Sequence, residues 1–318
     1  MTHFDVFNGD ADGICALHQL RLATPRDAVL VSGVKRDVAL LARVAASAGD
    51  SETALDVSAA VNRAALIALL ERGVRVEYFD HHFAGELPEH PNLTAVIDPS
   101  PGVCTGMLVD RHLGGRYRVW AVVAAFGDGL LGEAYALAQG LSLPAERERT
   151  LRDLGERLAY NGYGDSESDL IVHPTALYRT LHRYADPFEF VDAEPIYRTL
   201  GERRREDLLR ARRIAPETTL DGATVYILPD EPWSRRARGA LANELAQQSP
   251  GLAHAVLTPN AEGGYTISVR APLDTGVGAD ALCRRFATGG GRVSAAGINH
   301  LPRDDLPRFV RELDQAFP

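Results

Sequence analysis

The sequence has few cysteines, and their spacing matches no known framework. Its 318 residues include three of them, Cys15, Cys104 and Cys283, which are widely separated and form no CxxC pair. An odd number of scattered thiols argues against both a disulfide framework and a thiolate zinc site. We therefore expect all three to be reduced residues of the protein core.

Long apolar runs are also lacking. The longest, residues 64–70 and 119–126, are far shorter than the roughly 20 residues that cross a bilayer. The first residues, MTHFDVFNGD, show no signal-peptide pattern. We expect a cytoplasmic protein that has no membrane partner.

The sequence also has no excess of basic residues, as its net charge of −9 shows. Proteins that bind long duplex nucleic acids usually show a basic balance or a dominant basic stripe. The arginine-rich run 202–213 also contains acidic residues, which is typical of a solvated helix with ion pairs. A short phosphorylated ligand remains compatible with this charge, because local cations and metal ions can offset it.

The order of apolar and helical segments predicts an α/β fold. Over the first 135 residues, short apolar runs alternate with helical patterns, which is typical of a doubly wound, mostly parallel sheet. We predict this domain over 1–135, a helical connector over 136–216 and a smaller α/β domain over 217–318. The predicted strands are 4–7, 29–33, 53–55, 74–79, 93–97, 224–228, 254–258 and 265–270. The predicted helices include 13–22, 37–46, 59–72 and 279–286, and a glycine-rich turn follows the last of them.

Acidic residues and histidines follow several predicted strands of the first domain. They are Asp10 and Asp12 after the first strand, Asp56 after the third, Asp80, His81 and His82 after the fourth, and Asp98 after the fifth. The carboxyl ends of parallel strands line one crevice, so residues distant in sequence converge there. Many carboxylates in one crevice repel one another unless bound cations neutralise them.

Carboxylate oxygens with one or two imidazoles suit Mn²⁺ or Mg²⁺ better than structural zinc. Asp10 and Asp12, two residues apart, can each bind a different ion, while Asp56 can bridge them. We predict two divalent ions, with Mn²⁺ preferred and Mg²⁺ as the alternative. Each residue also has a structural interpretation: Asp10-x-Asp12 can form a turn, and Asp56 and Asp128 can cap helices.

The joint order of these motifs resembles that of a known superfamily. The segment NGDADG at 8–13, Asp56, the triplet 80–82 and Asp128 resemble the motifs of the DHH phosphoesterases, which are named for the triplet. In the C-terminal part, residues 267–270 (ISVR) resemble the S-x-R strand of the associated DHHA1 domain. Residues 289–297 (GGGRVSAAG) resemble its GGGH-x-x-AAG signature.

The resemblance implies a role for each motif residue. Asp10 would bind one metal ion, Asp12 the other and Asp56 both, while His81 and Asp128 would complete the shell of the second ion. His82 would face the substrate phosphate, and Asp80 would orient the histidines, so we assign both to the catalytic machinery.

Departures from the family pattern, in the first motif and in the C-terminal signature, affect these roles. Asn8 stands where the exonuclease branch carries Asp, and Val6 where many members carry His. Because its amide offers a neutral oxygen, we include Asn8 among the metal ligands. Arg292 replaces the signature histidine, which keeps a phosphate donor but removes acid–base capability near neutral pH.

The substrate side is expected to be mainly in the second domain. Arg270 and Arg292 would bind phosphate, and Gly289, Gly290 and Gly291 would let backbone amides approach the ligand. Lys35 and Arg36, after the second strand, either add phosphate contacts or lie on the surface.

The resemblance therefore implies a metal-dependent phosphodiesterase or phosphatase, with exonuclease activity among the expected types, that acts on small nucleotides or short oligonucleotides through a metal-activated hydroxide. An oligonucleotide, a cyclic dinucleotide and a bisphosphate nucleotide all remain open as the substrate. Two alternatives remain. An inorganic pyrophosphatase is expected to have the early histidine and a different second domain, whereas a nucleotide-binding regulatory protein with weakened catalysis is permitted by Asn8 and Arg292. A homodimer is left open.

Overall fold

The computed structural model describes residues 1–318 and contains two compact units, Met1–Gly201 and Glu202–Pro318. Each unit is built around its own sheet. None of the helices combines the length and the apolarity that a bilayer-crossing segment needs.

The sheet of the first unit has five parallel strands in the order β2-β1-β3-β4-β5. The strands are β1 His3–Phe7, β2 Val29–Val31, β3 Ser51–Leu55, β4 Arg75–Asp80 and β5 Leu93–Ile97. Their direction brings all carboxyl ends to one edge. The predicted doubly wound α/β fold is confirmed.

The helices of the first unit lie on both faces of this sheet. They are α1 Ala11–Ala23, α2 Ala59–Glu71, α3 Thr105–His112, α4 Arg118–Gly127, α5 Leu131–Gln139, α6 Ala145–Asn161, α7 Pro174–Leu181 and α8 Pro187–Ala193, and α9 Pro195–Ala211 runs on into the second unit. Phe7, Leu55 and Phe79 pack in one core cluster with α1, α3 and α4. Alternate residues, such as Val6 and Tyr78, pack with α2 on the opposite face. Side chains buried on both faces explain why β1 is buried along its whole length.

The helix predicted over 37–46 is wrong, because only a short 3-10 turn forms there, over Leu40–Arg43. The side chain of Asn62 takes over the hydrogen bonds of this segment. Its amide nitrogen donates to the Val38 carbonyl at 2.6 Å, and its oxygen accepts from the Leu41 N–H at 3.1 Å. Leu40 and Leu41 pack against residues of α2 in one core cluster.

The second unit has a mixed six-stranded sheet in the order β10-β11-β9-β8-β7-β6. Its strands are β6 Thr218–Thr219, β7 Ala223–Ile227, β8 Ala253–Pro259, β9 Tyr265–Arg270, β10 Gly289–Gly291 and β11 Ala295–Leu301, and its further helices are α10 Pro232–Gln248, α11 Ala279–Cys283 and α12 Leu306–Ala316. Only β7 and β8 pair in parallel.

The predicted glycine-rich turn is also corrected, because Gly289–Gly291 forms the edge strand β10, antiparallel to β11. Two of its glycines are required by packing. A Cβ atom on Gly289 would lie 1.8 Å from the Cys283 carbonyl oxygen, and one on Gly291 would lie 2.5 Å from Cα of Ala296. Gly291 also has φ 142°, which is strained for other residues.

Candidate metal centre

Asp10 joins β1 to α1 and is buried, with 2% exposure. Its Oδ1 accepts hydrogen bonds from the N–H groups of Asp12 at 3.0 Å and Gly13 at 3.2 Å, so the residue caps α1. The cap fixes the carboxylate at the end of the strand. The structural and the functional interpretation of Asp10 are therefore compatible.

Asp12, in the first turn of α1, points its carboxylate at the first turn of α3. Its two oxygens accept from the N–H groups of Thr105 and Gly106, both at 2.7 Å. The positive end of the α3 dipole further favours a carboxylate at this position. The helix thus holds Asp12 in one orientation.

Asp56 follows β3 in a left-handed backbone conformation, with φ 59°. Such a conformation is uncommon for residues other than glycine and is often found at functional sites. Its Oδ1 accepts a hydrogen bond from the Thr105 hydroxyl at 3.2 Å. Ser58, and not Asp56, is the N-cap residue of α2.

His81 lies at the centre of the acidic group. Its Nε2 is 3.4 Å from Oδ1 of Asp56, 3.9 Å from Oδ2 of Asp12 and 3.9 Å from Oδ2 of Asp128. Asp128 is the C-cap residue of α4 and remains partly exposed. Two sets of potential ligand atoms share His81, one with Asp12 and Asp128 and the other with Asp56 and His82.

Asp80 and His82 form a hydrogen-bonded pair beside this group. The Nδ1 of His82 lies 2.7 Å from Oδ1 of Asp80, which is completely buried. Burial lowers the pKa of His82, but the hydrogen bond and the charge of Asp80 outweigh this effect, and the pKa is raised. The second oxygen of Asp80 has no hydrogen-bond partner.

The electrostatics of the carboxylates call for a cation. Burial, followed by the charges of Asp12 and Asp10, raises the pKa of Asp56 well above its usual range. Burial and the charge of Asp128 also raise the pKa of Asp12. A divalent ion among these oxygens would favour the ionised forms. The donor set of carboxylates and imidazole fits Mn²⁺ or Mg²⁺.

Lys35 provides a cation at one side of the group. Its Nζ lies 2.6 Å from Oδ2 of Asp10 and 3.2 Å from Oδ1 of Asp128. Burial tends to raise the pKa of Asp10, but the charge and hydrogen bond of Lys35 lower it. Lys35 is therefore in direct contact with two of the predicted metal ligands, and its side chain remains partly exposed.

Asn8 braces the site from the end of β1. Its side-chain oxygen accepts from the Asp10 N–H at 3.2 Å, and its amide nitrogen donates to the Lys35 carbonyl at 3.1 Å. Its role as a metal ligand stays a prediction. Asp98 lies apart from the cluster, because its carboxylate accepts from the Ser100 N–H and pairs with Arg111.

Arg36 pairs with Asp165, and both line a cavity of about 610 Å³ together with Arg43, Ser166 and Ser168. The loop after β2 therefore meets the polar segment that follows α6. Its contact with substrate stays a prediction.

In the second unit, Arg270 is held by α10. Its Nε donates to Oδ1 of Asn243 at 2.6 Å, and one terminal nitrogen donates to the Val269 carbonyl at 2.9 Å. Arg292 follows β10 and has an exposed side chain. At Gly290 no atom lies within 4 Å of the position that a Cβ atom would take. Open space therefore lies on the side of Gly290 where a Cβ atom would stand.

Sequence reasoning missed Thr105 and Gly106, which contact Asp12 through main-chain N–H groups. Main-chain donors carry no residue-type signal, so only the start of a helix at this position would have indicated them. It also left the role of Lys35 open.

The sequence matches no protein-family model and no curated protein significantly. Solved structures do resemble it. Manganese-bound exonuclease RecJ is 19% identical with a TM-score of 0.64, over 100% of this chain and 91% of that one. RecJ of Thermus thermophilus with Mn²⁺ is 18% identical with a TM-score of 0.64, over 100% of this chain but only 52% of that one.

A third structure is PggH of Vibrio cholerae, described as a pGpG-specific phosphodiesterase. It is 15% identical with a TM-score of 0.56, over 99% of this chain and 98% of that one. The chain therefore shares the fold of RecJ and PggH over nearly its whole length, as the resemblance in the sequence motifs led us to expect.

Proposed function

We propose that the chain is a metal-dependent phosphoesterase that hydrolyses phosphate esters of small nucleotides or short oligonucleotides. The observation that carries this proposal is the convergence of the buried carboxylates Asp12 and Asp56 on His81, with the buried carboxylate of Asp10 beside Asp56. Buried like charges at a strained strand end are costly, and such a cost is typical of a functional site.

The residues that would hold two divalent ions are Asp10, Asp12, Asp56, His81 and Asp128. When bound, the ions supply a nucleophilic water at neutral pH and stabilise charge on the phosphoryl oxygens. The protein contributes the fixed orientation of its ligands: the α1 cap holds Asp10, the α3 N-terminus holds Asp12, and Thr105 holds Asp56.

His82 and Asp80 would act on the substrate side. Because Asp80 fixes the proton on Nδ1, the other ring nitrogen of His82 is available to a phosphate oxygen. The raised pKa favours the protonated ring, which carries a positive charge suited to phosphate. Arg270 and Arg292 would bind a further phosphate or a terminal nucleotide.

Three observations support a small nucleotide as the substrate. The net charge of −9 disfavours a long duplex. RecJ is an exonuclease, and PggH is specific for the linear dinucleotide pGpG. We therefore place short linear oligonucleotides and dinucleotides ahead of inorganic pyrophosphate.

A nucleotide-binding protein with weakened catalysis is the second candidate. The ammonium of Lys35 between Asp10 and Asp128 favours this candidate, since a positive charge there opposes metal binding. The intact set of carboxylates favours the enzyme.

A substrate panel separates these candidates. The panel contains pGpG, a short oligoribonucleotide, a cyclic dinucleotide, adenosine 3′,5′-bisphosphate and inorganic pyrophosphate, each with Mn²⁺, Mg²⁺ or EDTA. We expect mononucleotide or phosphate release from a linear nucleotide only with metal. Tight nucleotide binding without release from any member would favour the regulatory candidate, and preferential cleavage of pyrophosphate would favour a pyrophosphatase.

A further inference from the structure

Lys35 is the single lysine of the chain. Lysine and arginine together number 34, and all the others are arginines. The two side chains are not equivalent, because the lysine ammonium is a compact point charge whereas the guanidinium is a planar fork. A compact ammonium group can fit between two carboxylates, as a metal ion does. The single lysine lies between two carboxylates, those of Asp10 and Asp128.

The backbone of Lys35 is fixed on both sides. Its N–H donates to the Gly162 carbonyl at 2.8 Å, and its carbonyl accepts from the Asn8 side chain at 3.1 Å. Asn8 in turn accepts from the Asp10 N–H. The Asn8 side chain thus links the backbone of Lys35 to the backbone of Asp10, and the Asp10 carboxylate is the one that Lys35 contacts.

The ammonium of Lys35 takes up the carboxylate atoms that a metal ion would need. Oδ1 of Asp10 is used by the α1 cap, and Oδ2 contacts Lys35 at 2.6 Å. Oδ1 of Asp128 contacts the same ammonium at 3.2 Å. A divalent ion that binds Oδ2 of Asp10 or Oδ1 of Asp128 must therefore displace the lysine ammonium, whose side chain is 36% exposed.

We propose that the Lys35 ammonium competes with divalent metal ions for the carboxylates of Asp10 and Asp128. This competition sets the metal concentration at which the site becomes occupied. The proposal rests on the proposed metal centre. Without the ammonium, the carboxylates would bind a metal ion more tightly, but the metal-free protein would lose a partner for its buried charge.

Calorimetric titration with Mn²⁺ tests the proposal in wild type, Lys35→Met, Lys35→Gln and Lys35→Arg. Loss of the charge-assisted contact should raise Mn²⁺ affinity by about ten-fold or more in the Met and Gln variants. Lys35→Arg should stay closer to wild type. The control is Arg152→Gln, which removes one positive charge from α6, where Arg152 pairs with Glu156; its affinity should be unchanged.

Thermal unfolding of the same variants supplies a second readout. In EDTA, Lys35→Met should melt below wild type, and saturating Mn²⁺ should remove the difference. A purely structural lysine would lower the melting temperature without tightening Mn²⁺ binding, which would overturn the proposal. Equal or weaker Mn²⁺ binding in the Met and Gln variants would also overturn it, as would equal tightening in Arg152→Gln.

A test on the wild-type protein avoids the risk that a variant fails to fold. Because Lys35 is the single lysine, an acylating reagent reports on it alone by mass spectrometry, with the N-terminal amine as internal control. Mn²⁺ should increase acylation of Lys35, whereas unchanged or reduced acylation would contradict displacement. If wild type binds no Mn²⁺ at all, the proposed function fails together with this inference; bound Mn²⁺ with no response of Lys35 overturns the inference alone.

Discussion

The imidazole of His82 donates from Nδ1 to Oδ1 of Asp80 at 2.7 Å. Asp80 is completely buried at the end of β4, so its carboxylate cannot follow the ring if the ring turns. The pair therefore fixes both the rotation of His82 and the nitrogen that carries its proton. This geometry leads to the first prediction.

Asp80→Asn should lower turnover by about 10-fold to 100-fold, because neighbours that orient site histidines typically contribute this much. The amide has the shape of the carboxylate, so the fold should persist. The matched control is Asp98→Asn, directly after the adjacent strand β5, where the side chain pairs with Arg111 and belongs to neither set of potential metal ligands. Steady-state kinetics with Mn²⁺ check both variants, and equal losses would show that Asp80 has no specific role.

The glycines of β10 allow structure and binding to be separated. Gly290→Ala adds a methyl group where no atom lies within 4 Å, so the stability of the second unit should be unchanged. If backbone atoms of Gly290 contact the substrate, the KM of the Gly290→Ala variant for that substrate should rise. Gly289→Ala, which meets the Cys283 carbonyl oxygen, should lower the melting temperature instead. An unchanged KM in Gly290→Ala would limit the glycine-rich segment to a packing role.

Arg292→Ala tests whether the second unit contributes to substrate binding but not to metal binding. Loss of one charge-assisted phosphate contact should raise KM for a linear dinucleotide by about 10-fold to 100-fold. Mn²⁺ affinity should not change, and hydrolysis of a small activated phosphodiester should be largely preserved. Equal losses on both substrates would mean that Arg292 acts on the reacting phosphoryl group itself.

Glu52 predicts a pH dependence of stability. It is 1% exposed, neither carboxylate oxygen has a hydrogen-bond partner, and burial raises its pKa from 4.5 to about 8. The folded state therefore favours the protonated acid, while the unfolded chain ionises near 4.5. The contribution of Glu52 to stability is present below the unfolded pKa and is lost as the pH rises to the folded value.

Glu52→Gln removes this titration. Near pH 8.5 the free energy of unfolding of the variant, measured by urea denaturation, should exceed that of wild type by more than about 1 kcal/mol. This difference should shrink toward pH 5. A difference that is independent of pH would show that Glu52 keeps an ordinary pKa in the fold.

The sequence predicted the elements in which local pattern and tertiary packing agree. The strand 93–97 coincides with β5, and the apolar strands that lead to Asp10, Asp56 and Asp80 form as expected. Parallel strands then bring these residues to one edge without further information. The fold and the general position of the site thus follow from period and order.

Other features depend on contacts between distant segments. Asn62 replaces the helix expected over 37–46 with a 3-10 turn, and the Cys283 carbonyl leaves room only for glycine at 289. The main-chain donors of Thr105 and Gly106 have no sequence pattern of their own. Lys35 was visible as a basic residue in a loop, but only the three-dimensional arrangement shows which carboxylates it contacts.

Manganese analysis of wild type and Asp56→Asn, combined with their hydrolysis of a linear dinucleotide, tests the central claim most directly. Asn also tolerates the left-handed conformation of Asp56, so the variant should fold. We expect about two ions per chain in wild type and loss of hydrolysis in the variant, because one carboxylate serves both ions. Less than about one ion per chain after manganese loading, or near wild-type turnover in Asp56→Asn, would contradict a dinuclear phosphoesterase.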